Sequence, residues 1–380
     1  MTPTLSRAIP FFDYPSLFKQ DEEMLLSIVR DTGRRGAFIL QEDLARFETN
    51  LARFLGARHA LGVGNATDGL LIALRACGVG SADLGGLERE EVIFSSHTMV
   101  ATAAAIHFAG AIPVPVECGR DHLIDPRAVE EAITPRTRAI LPTQLNGRTA
   151  DMTALNEIAR KNGLVIIEDA AQALGSKFRR QSAGTFGAAA ALSFFPAKVL
   201  GCLGDGGAVV TNSDAIQDRM LQLRDHGRRA DGEIVSWGLN SRLDNLQAAI
   251  LDARLRRYEA VIERRRAIAR LYQSRLGELE EVVLPPGPDL DEDHFDIFQN
   301  YEIEAFGRDE LRAHLQSCGI GTLLPWGGKA VHQWDKLGFR KTLPFTEKLF
   351  ERMLLLPLNM SLSDDDADAI CDALVAFYRG

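Results

Sequence analysis

The chain has 380 residues, 46% of them apolar and 25% charged, the make-up of a folded globular protein with room for more than one core. A formal charge of −9 excludes a general nucleic-acid or anionic-membrane binder, though not a local cationic pocket for a phosphate. Five cysteines, odd in number, widely spread and without a CxxC pair, argue against a disulfide frame or a zinc site and fit free thiols in a reducing cytoplasm.

The opening stretch, MTPTLSRAIPFFDYP, has no sustained apolar run and is broken by prolines, so no secretory signal is expected. Residues 41–55, QEDLARFETNLARFL, carry apolar side chains at helical spacing, with Gly56 as the stop. HALGVGNATDGLLIALRACGVG reads as strand, glycine turn and helix, with Ala66, Thr67 and Asp68 at the helix start. EVIFSSHTMVATAAAIHFAGAIPVPVE reads as strand, alanine-rich helix and strand. RAILPTQLNG, GLVIIEDAAQALG, AALSFF and GGAVVTN continue the series of short apolar strands ending in turns. The longest apolar stretch, around 187–201, is interrupted by Pro196, Lys198 and Gly201 and cannot span a bilayer. No internal repeat or low-complexity tract is present.

Strands alternating with helices predict an α/β fold whose mostly parallel sheet is covered on both faces, with ligands beyond the carboxyl ends of the strands. From Ser241 the pattern SRLDNLQAAILDARLRRYEAVIERRRAIARLYQSRL predicts a helix or helix pair whose arginine run is a solvated face or a subunit contact. A Pro- and Asp-rich connection, GELEEVVLPPGPDLDEDHFD, follows. His294 lies there among carboxylates, but neighbours in one loop rarely converge on an ion, and no metal is expected. The rest predicts a smaller α+β unit, giving a large domain with an N-terminal arm over 1–255 and a small one over 256–380.

Three polar signals coincide at the predicted strand ends: the turn before Ala66 and Thr67, Asp169, and Lys198 in FFPAKVLG. Separately each has an ordinary reading, as a helix cap for Asp169 or a lysine that snorkels to water for Lys198. Together they offer a nucleophilic amine, an acid partner for a ring nitrogen and backbone donors for a phosphate. Those are the needs of pyridoxal 5′-phosphate (PLP).

EDAAQALGS, FFPAKVLGCLGDGGAVVTN and GLNSRLDNLQAAIL resemble signature segments of the nucleotide-sugar aminotransferases, the DegT/StrS group, and the resemblance runs nearly end to end. It implies the aspartate-aminotransferase type of fold: a large PLP-binding domain with a mostly parallel mixed sheet, and a smaller C-terminal α+β domain. It implies transfer of an amino group from an amino acid, glutamate being the expected donor, to a dTDP-, UDP- or GDP-linked keto-deoxysugar, with the pyridoxamine phosphate (PMP) form as intermediate. Lys198 then matches the Schiff-base lysine, and Asp169 the aspartate that keeps the pyridine nitrogen protonated. Gln172 matches the neighbour of the ring 3-hydroxyl, while Ser193, Ala66 and Thr67 match phosphate binders. Asn240 matches an asparagine that reaches the phosphate from a second subunit, implying a cytoplasmic homodimer with shared sites. Arg242 is the expected partner of the substrate diphosphate. In SSHTMVAT the family's ring-covering aromatic is replaced by Met99, leaving either His97 or Met99 for that task. Gly36 and Phe38 in RGAFIL, and Trp326 in PWGGK, fall at substrate-facing positions, and PWGGK departs from the family's His-Tyr-Pro-x-Pro loop. The weighed alternatives are a PLP-dependent sugar dehydratase, against which Lys198 argues, and a non-catalytic PLP-fold regulator.

Overall fold

A computed structural model describes residues 8–80 and 90–380. The first seven residues, part of the stretch read as lacking a secretory signal, lie outside the described residues. Helix α1 (Tyr14–Arg35), which the sequence pattern did not disclose, starts where Asp13 accepts the Ser16 N–H at 3.2 Å and stops at Gly36 in the left-handed region. Helix α2 (Glu42–Leu55) ends at Gly56 in the same conformation.

Strand β1 (His59–Val63) leads into α3 (Ala66–Ala76), β2 (Glu91–Ser95) into α4 (Val100–Phe108), and β3 (Ile112–Val116) into α5 (Pro126–Ala132). Strand β4 (Thr137–Leu141), α6 (Met152–Asn162) and β5 (Val165–Asp169) follow. After a small hairpin, β6 (Lys177–Phe178) and β7 (Gln181–Ser182), come β8 (Ala189–Ser193), β9 (Gly207–Thr211) and α7 (Asp214–Arg224). Seven of these strands form one sheet in the order β1-β9-β8-β5-β4-β2-β3. Strand β9 runs antiparallel to both of its neighbours, and the remaining pairs are parallel, so the sheet is mixed but mostly parallel. Apolar clusters pack on the two faces, as burial of a parallel sheet requires.

The predicted helical stretch is a pair, α8 (Asn245–Leu255) and α9 (Tyr258–Leu276). The first half of α9 packs Tyr258 and Ile262 into the large core, whereas Ile268, Ala269, Tyr272 and Leu276 belong to a second core. That second core surrounds the antiparallel sheet of β10 (Val282–Val283), β12 (Tyr301–Ala305) and β13 (Met353–Leu356), covered by α10 (Arg308–Ser317) and α12 (Asp364–Arg379). Between them β11 (His294–Phe295) joins the β6–β7 hairpin, and α11 (Pro344–Phe350) precedes β13. Ile9 packs in the second core and bridges Ile320, so the N-terminal arm, expected with the large domain, lies against the small one. No helix among the described residues is long and apolar enough to cross a membrane.

The arginine run expected to be a solvated face or a subunit contact is split: Arg256, Arg257 and Arg275 are exposed, whereas two members of the run turn inward. Arg265 and Arg266 are buried, and their guanidinium groups donate to the carbonyls of Phe298, Gln299, Asp296 and Pro288 at 2.7–2.8 Å. A chain leaving one domain for another carries many unpaired carbonyls, and a guanidinium is the side chain with enough donors to satisfy several at once.

Candidate active site

The carboxyl ends of β1, β5 and β8 lie along one edge of the sheet, with the amino end of antiparallel β9 among them. After β1, Asn65 caps α3: its Oδ1 accepts the Asp68 N–H at 2.9 Å. Ala66 and Thr67, the first two helical residues, have backbone N–H groups without intrahelical acceptors, the arrangement that attracts an anion. Strand β9 starts against this turn. A Cβ on Gly207 would lie 2.7 Å from the Asn65 carbonyl carbon and 2.8 Å from the Ala66 nitrogen, so glycine alone permits the approach. The Ser241 hydroxyl accepts the Gly64 N–H at 3.0 Å, tying the turn to the GLNSRLDNLQ segment. Ser193 closes β8 with its hydroxyl accepting the Phe195 N–H at 3.3 Å.

Asp169 ends β5 and is 5% exposed. Its Oδ2 accepts the Thr102 hydroxyl at 2.7 Å and its Oδ1 the Ala171 N–H at 3.2 Å. Burial pushes this carboxyl above its ordinary range, while the Thr102 and Ala171 donors and the charge of Lys198 pull it back.

Lys198 sits in a tight loop after β8, its N–H bonded to the Phe195 carbonyl at 2.8 Å. Burial lowers its amine to about 8, against the opposing pull of Asp169. An amine with that pKa is neutral for a useful fraction of the time near pH 8, and it can attack a carbonyl or carry a proton. Gln299 clamps the loop from both sides: its Oε1 accepts the Val199 N–H and its amide donates to the Ala197 carbonyl, each at 2.9 Å. Gln299 is in turn held by Arg265. Sequence reading missed both, because they lie far from Lys198 in the chain. Lys198 also lines a cavity of about 660 Å³ that includes Phe11, Tyr14, Gly201, Arg254 and Asn359.

Gln172 is buried, its Oε1 accepting the Asn146 N–H at 2.8 Å, and Asn146 is bonded to Asn300 at 2.9 Å. Asn146 has φ 54°, so the loop after β4 is bent toward Gln172. Of the two candidates in SSHTMVAT, His97 is buried and partnered. Its fully buried ring sits with Nδ1 3.1 Å from the His122 carbonyl, Nε2 3.4 Å from the Glu302 carboxylate and its edge against Phe350. A carboxylate from β12 and a carbonyl thus engage both ring nitrogens of His97. Met99, 52% exposed at the start of α4, is the open one of the pair.

Phe38 is 57% exposed, on a loop after Gly36 that is fastened to α8 by Asn245, whose amide and backbone N–H donate to the Ala37 and Phe38 carbonyls at 2.8 Å. Asn240 is exposed and bridges Asp225, and the Arg242 guanidinium donates to Asp225 at 3.0 Å. Asn240 and Arg242 thus meet at Asp225, while Phe38 is tied to Asn245 at the start of α8. Trp326 does not line the Lys198 cavity; it is partly buried between two apolar clusters, with backbone φ 51°.

Residues 19–375 match the model of the DegT/DnrJ/EryC1/StrS aminotransferase family. The chain is 38% identical to dTDP-3-amino-3,4,6-trideoxy-alpha-D-glucose transaminase of Streptomyces venezuelae, over 96% of this chain and 95% of that one. It is 37% identical to a pleiotropic regulatory protein of Geobacillus stearothermophilus, over 98% and 99%. Its fold is similar to that of S. venezuelae DesV, solved in complex with a ketimine intermediate, with a TM-score of 0.92, 37% identity and coverage of 99% and 100%.

Proposed function

The chain belongs to the DegT/DnrJ/EryC1/StrS aminotransferase family, and from that premise we propose that it is a PLP enzyme acting at the 3-ketone of a dTDP-linked deoxysugar. One amino group leaves an amino acid, glutamate in this reading, which becomes a 2-oxo acid, while the sugar ketone becomes an amine. When bound, PLP supplies an aldehyde that condenses with amines and an electron-accepting ring.

The observation that carries the reading is the trio at one sheet edge: a lysine amine lowered to about 8, a buried carboxylate within its electrostatic reach, and two helix N–H groups behind a glycine-only contact. These suit the aldehyde, the ring nitrogen and the phosphate respectively. Lys198 would hold the aldehyde and carry a proton to and from the substrate carbon, and Asp169 would keep the ring nitrogen protonated. Gln172 would serve the ring oxygen, Met99 the ring face, and Ala66, Thr67 and Ser193 the phosphate. Gly36, Phe38 and Arg242 would receive the nucleotide-sugar.

The same reading makes the protein a cytoplasmic homodimer in which Asn240 enters the partner's site. In support, residues 230–237 are exposed throughout, with Ile234 and Val235 among them and Trp237 91% exposed. A regulatory role without turnover is disfavoured by the intact amine and carboxylate.

The test is conversion. Protein supplied with PLP, L-glutamate and a dTDP-3-keto-deoxysugar is expected to yield 2-oxoglutarate and the 3-amino sugar, read by mass spectrometry. Parallel arms carry UDP- and GDP-linked 3-keto sugars, a 4-keto sugar, and glutamine as donor. Absence of 2-oxoglutarate in every arm overturns the enzyme reading, and product only from UDP, GDP or 4-keto sugars overturns the substrate assignment.

A further inference from the structure

Behind Asp169 runs a line of buried hydroxyls, Thr98 from the turn after β2, Thr102 from the first turn of α4 and Thr143 from the loop after β4. Thr102 donates to Asp169 Oδ2 at 2.7 Å, Thr98 Oγ1 lies 2.9 Å from Thr102 Oγ1, and Thr143 Oγ1 lies 2.9 Å from Thr98 Oγ1. Thr98, Thr102 and Thr143 are 1%, 0% and 4% exposed, so water does not replace any of these bonds.

A hydroxyl has one proton to give. With that of Thr102 committed to Asp169, Thr98 must donate to Thr102 and Thr143 to Thr98. Every proton therefore points toward the carboxylate, and each donor strengthens the next. Reversing the line requires a protonated Asp169 and leaves the Thr143 hydroxyl proton without an acceptor among the described residues. The arrangement is thus matched to one charge state. The backbone supports it, since the Asp169 N–H bonds the Pro142 carbonyl and the Gln144 N–H the Asp169 carbonyl, locking the ends of β4 and β5 together.

We propose that Thr102, backed by Thr98 and Thr143, is a positioning residue for the transamination, its hydroxyl relay holding Asp169 ionised and in a single orientation for the cofactor nitrogen. The inference rests on the reading that Asp169 serves that nitrogen. The charged group acting on Asp169 from the facing loop is Lys198, and the remaining donor is the Ala171 N–H.

The test compares Thr102→Val, Thr102→Ser and Thr98→Val with wild type by two readouts: PLP affinity of the cofactor-free protein, and the pH profile of kcat. Thr102→Val keeps the shape and loses the hydroxyl. It is expected to weaken PLP binding about tenfold and move the acid limb of kcat upward by about one pH unit, the worth of one hydrogen bond to a charged group. Thr102→Ser restores both to within about twofold, and Thr98→Val gives a smaller change of the same sign. Wild-type affinity and acid limb in Thr102→Val, or a Thr102→Ser variant as damaged as Thr102→Val, overturns the inference. Should Thr102→Val not fold, an unmoved acid limb in Thr98→Val does so. Asp169→Asn separates the two layers. If it turns over normally, the role of Asp169 itself falls; if it is impaired while Thr102→Val is silent, only the relay falls.

Discussion

Adjacent carboxylates at the end of β5 do unlike work because a strand alternates its faces. Glu168 turns to one side, fully buried, and accepts the Gly184, Phe186 and Gly187 N–H groups and the Gln144 amide at 2.7–2.9 Å, closing a loop. Asp169 turns to the other side, toward Lys198. Replacing Lys198 with alanine removes both nucleophile and proton carrier; transamination is expected to fall more than about a thousandfold while circular dichroism is unchanged. A comparable rate in the variant rules the assignment out. Asparagine at 169 is isosteric but neutral, so it cannot stabilise a cationic ring nitrogen; kcat is expected to drop on the order of a hundredfold with cofactor still bound. Near-normal kcat with bound cofactor is the contrary result. Lys198 and Asp169 stood out in the sequence because each accompanies an apolar strand, Asp169 at the end of β5 and Lys198 in the loop after β8, a local pattern. Thr102, Thr143 and Gln299 did not, because their partners are brought close only by the fold. The partner of His97, Glu302, was hidden for the same reason, since it is on a distant strand.

Strand β12 meets the large domain through charge. Glu302 bonds His122 at 2.7 Å and lies 3.4 Å from His97, and Glu304 lies 3.5 Å from His122. Burial lowers the His122 pKa, but Glu302 and Glu304 overcome it and raise it to about 9. For Glu302 burial raises the pKa, and the two histidines outweigh it and hold the carboxyl well below its usual range. A raised histidine contributes fully below its unfolded value of about 6.5, and the contribution is lost as pH climbs through about 9. Glu302 contributes above its unfolded value, about 4.3, and loses that only in strong acid. The clasp is therefore whole between about pH 4.5 and 6.5 and opens on the alkaline side. His122→Asn suits the site because His122 has φ 65°, a conformation asparagine tolerates. Denaturant unfolding is expected to show wild type ahead of His122→Asn by about 3 kcal/mol at pH 6, with the gap shrinking toward pH 10. A gap of equal size at both ends contradicts the clasp. At this scale the alternating strands and helices were readable from periodicity, whereas α1 and the buried Arg265 and Arg266 were not. Periodicity records which face is apolar, and a charged side chain satisfying carbonyls leaves no mark in it.

The two cores are joined by α9, by the arm at Ile9 and by the Gln299 clamp, so the lysine loop is held by the connection between the domains. Asn240 is exposed and precedes Ser241, whose hydroxyl accepts the Gly64 N–H of the anion-binding turn, and the neighbouring residues 230–237 are exposed, Ile234, Val235 and Trp237 among them. A twofold dimer places the same patch in both interfaces, so a residue entering the partner's site does so twice. If Asn240 and Arg242 act in this way, each site combines Lys198 of one chain with Asn240 and Arg242 of the other. Lys198→Ala chains paired with chains carrying Asn240→Ala and Arg242→Ala then form one site with all three changes and one with none. Co-expression with two different tags isolates the heterodimer, and kcat per dimer is expected near half of wild type although both parent homodimers are inactive. If both residues serve their own chain, each site of the heterodimer carries one parent's defect, and no activity returns. An inactive heterodimer of verified composition therefore removes the shared site, and recovered activity near one half is an outcome that within-chain sites cannot produce.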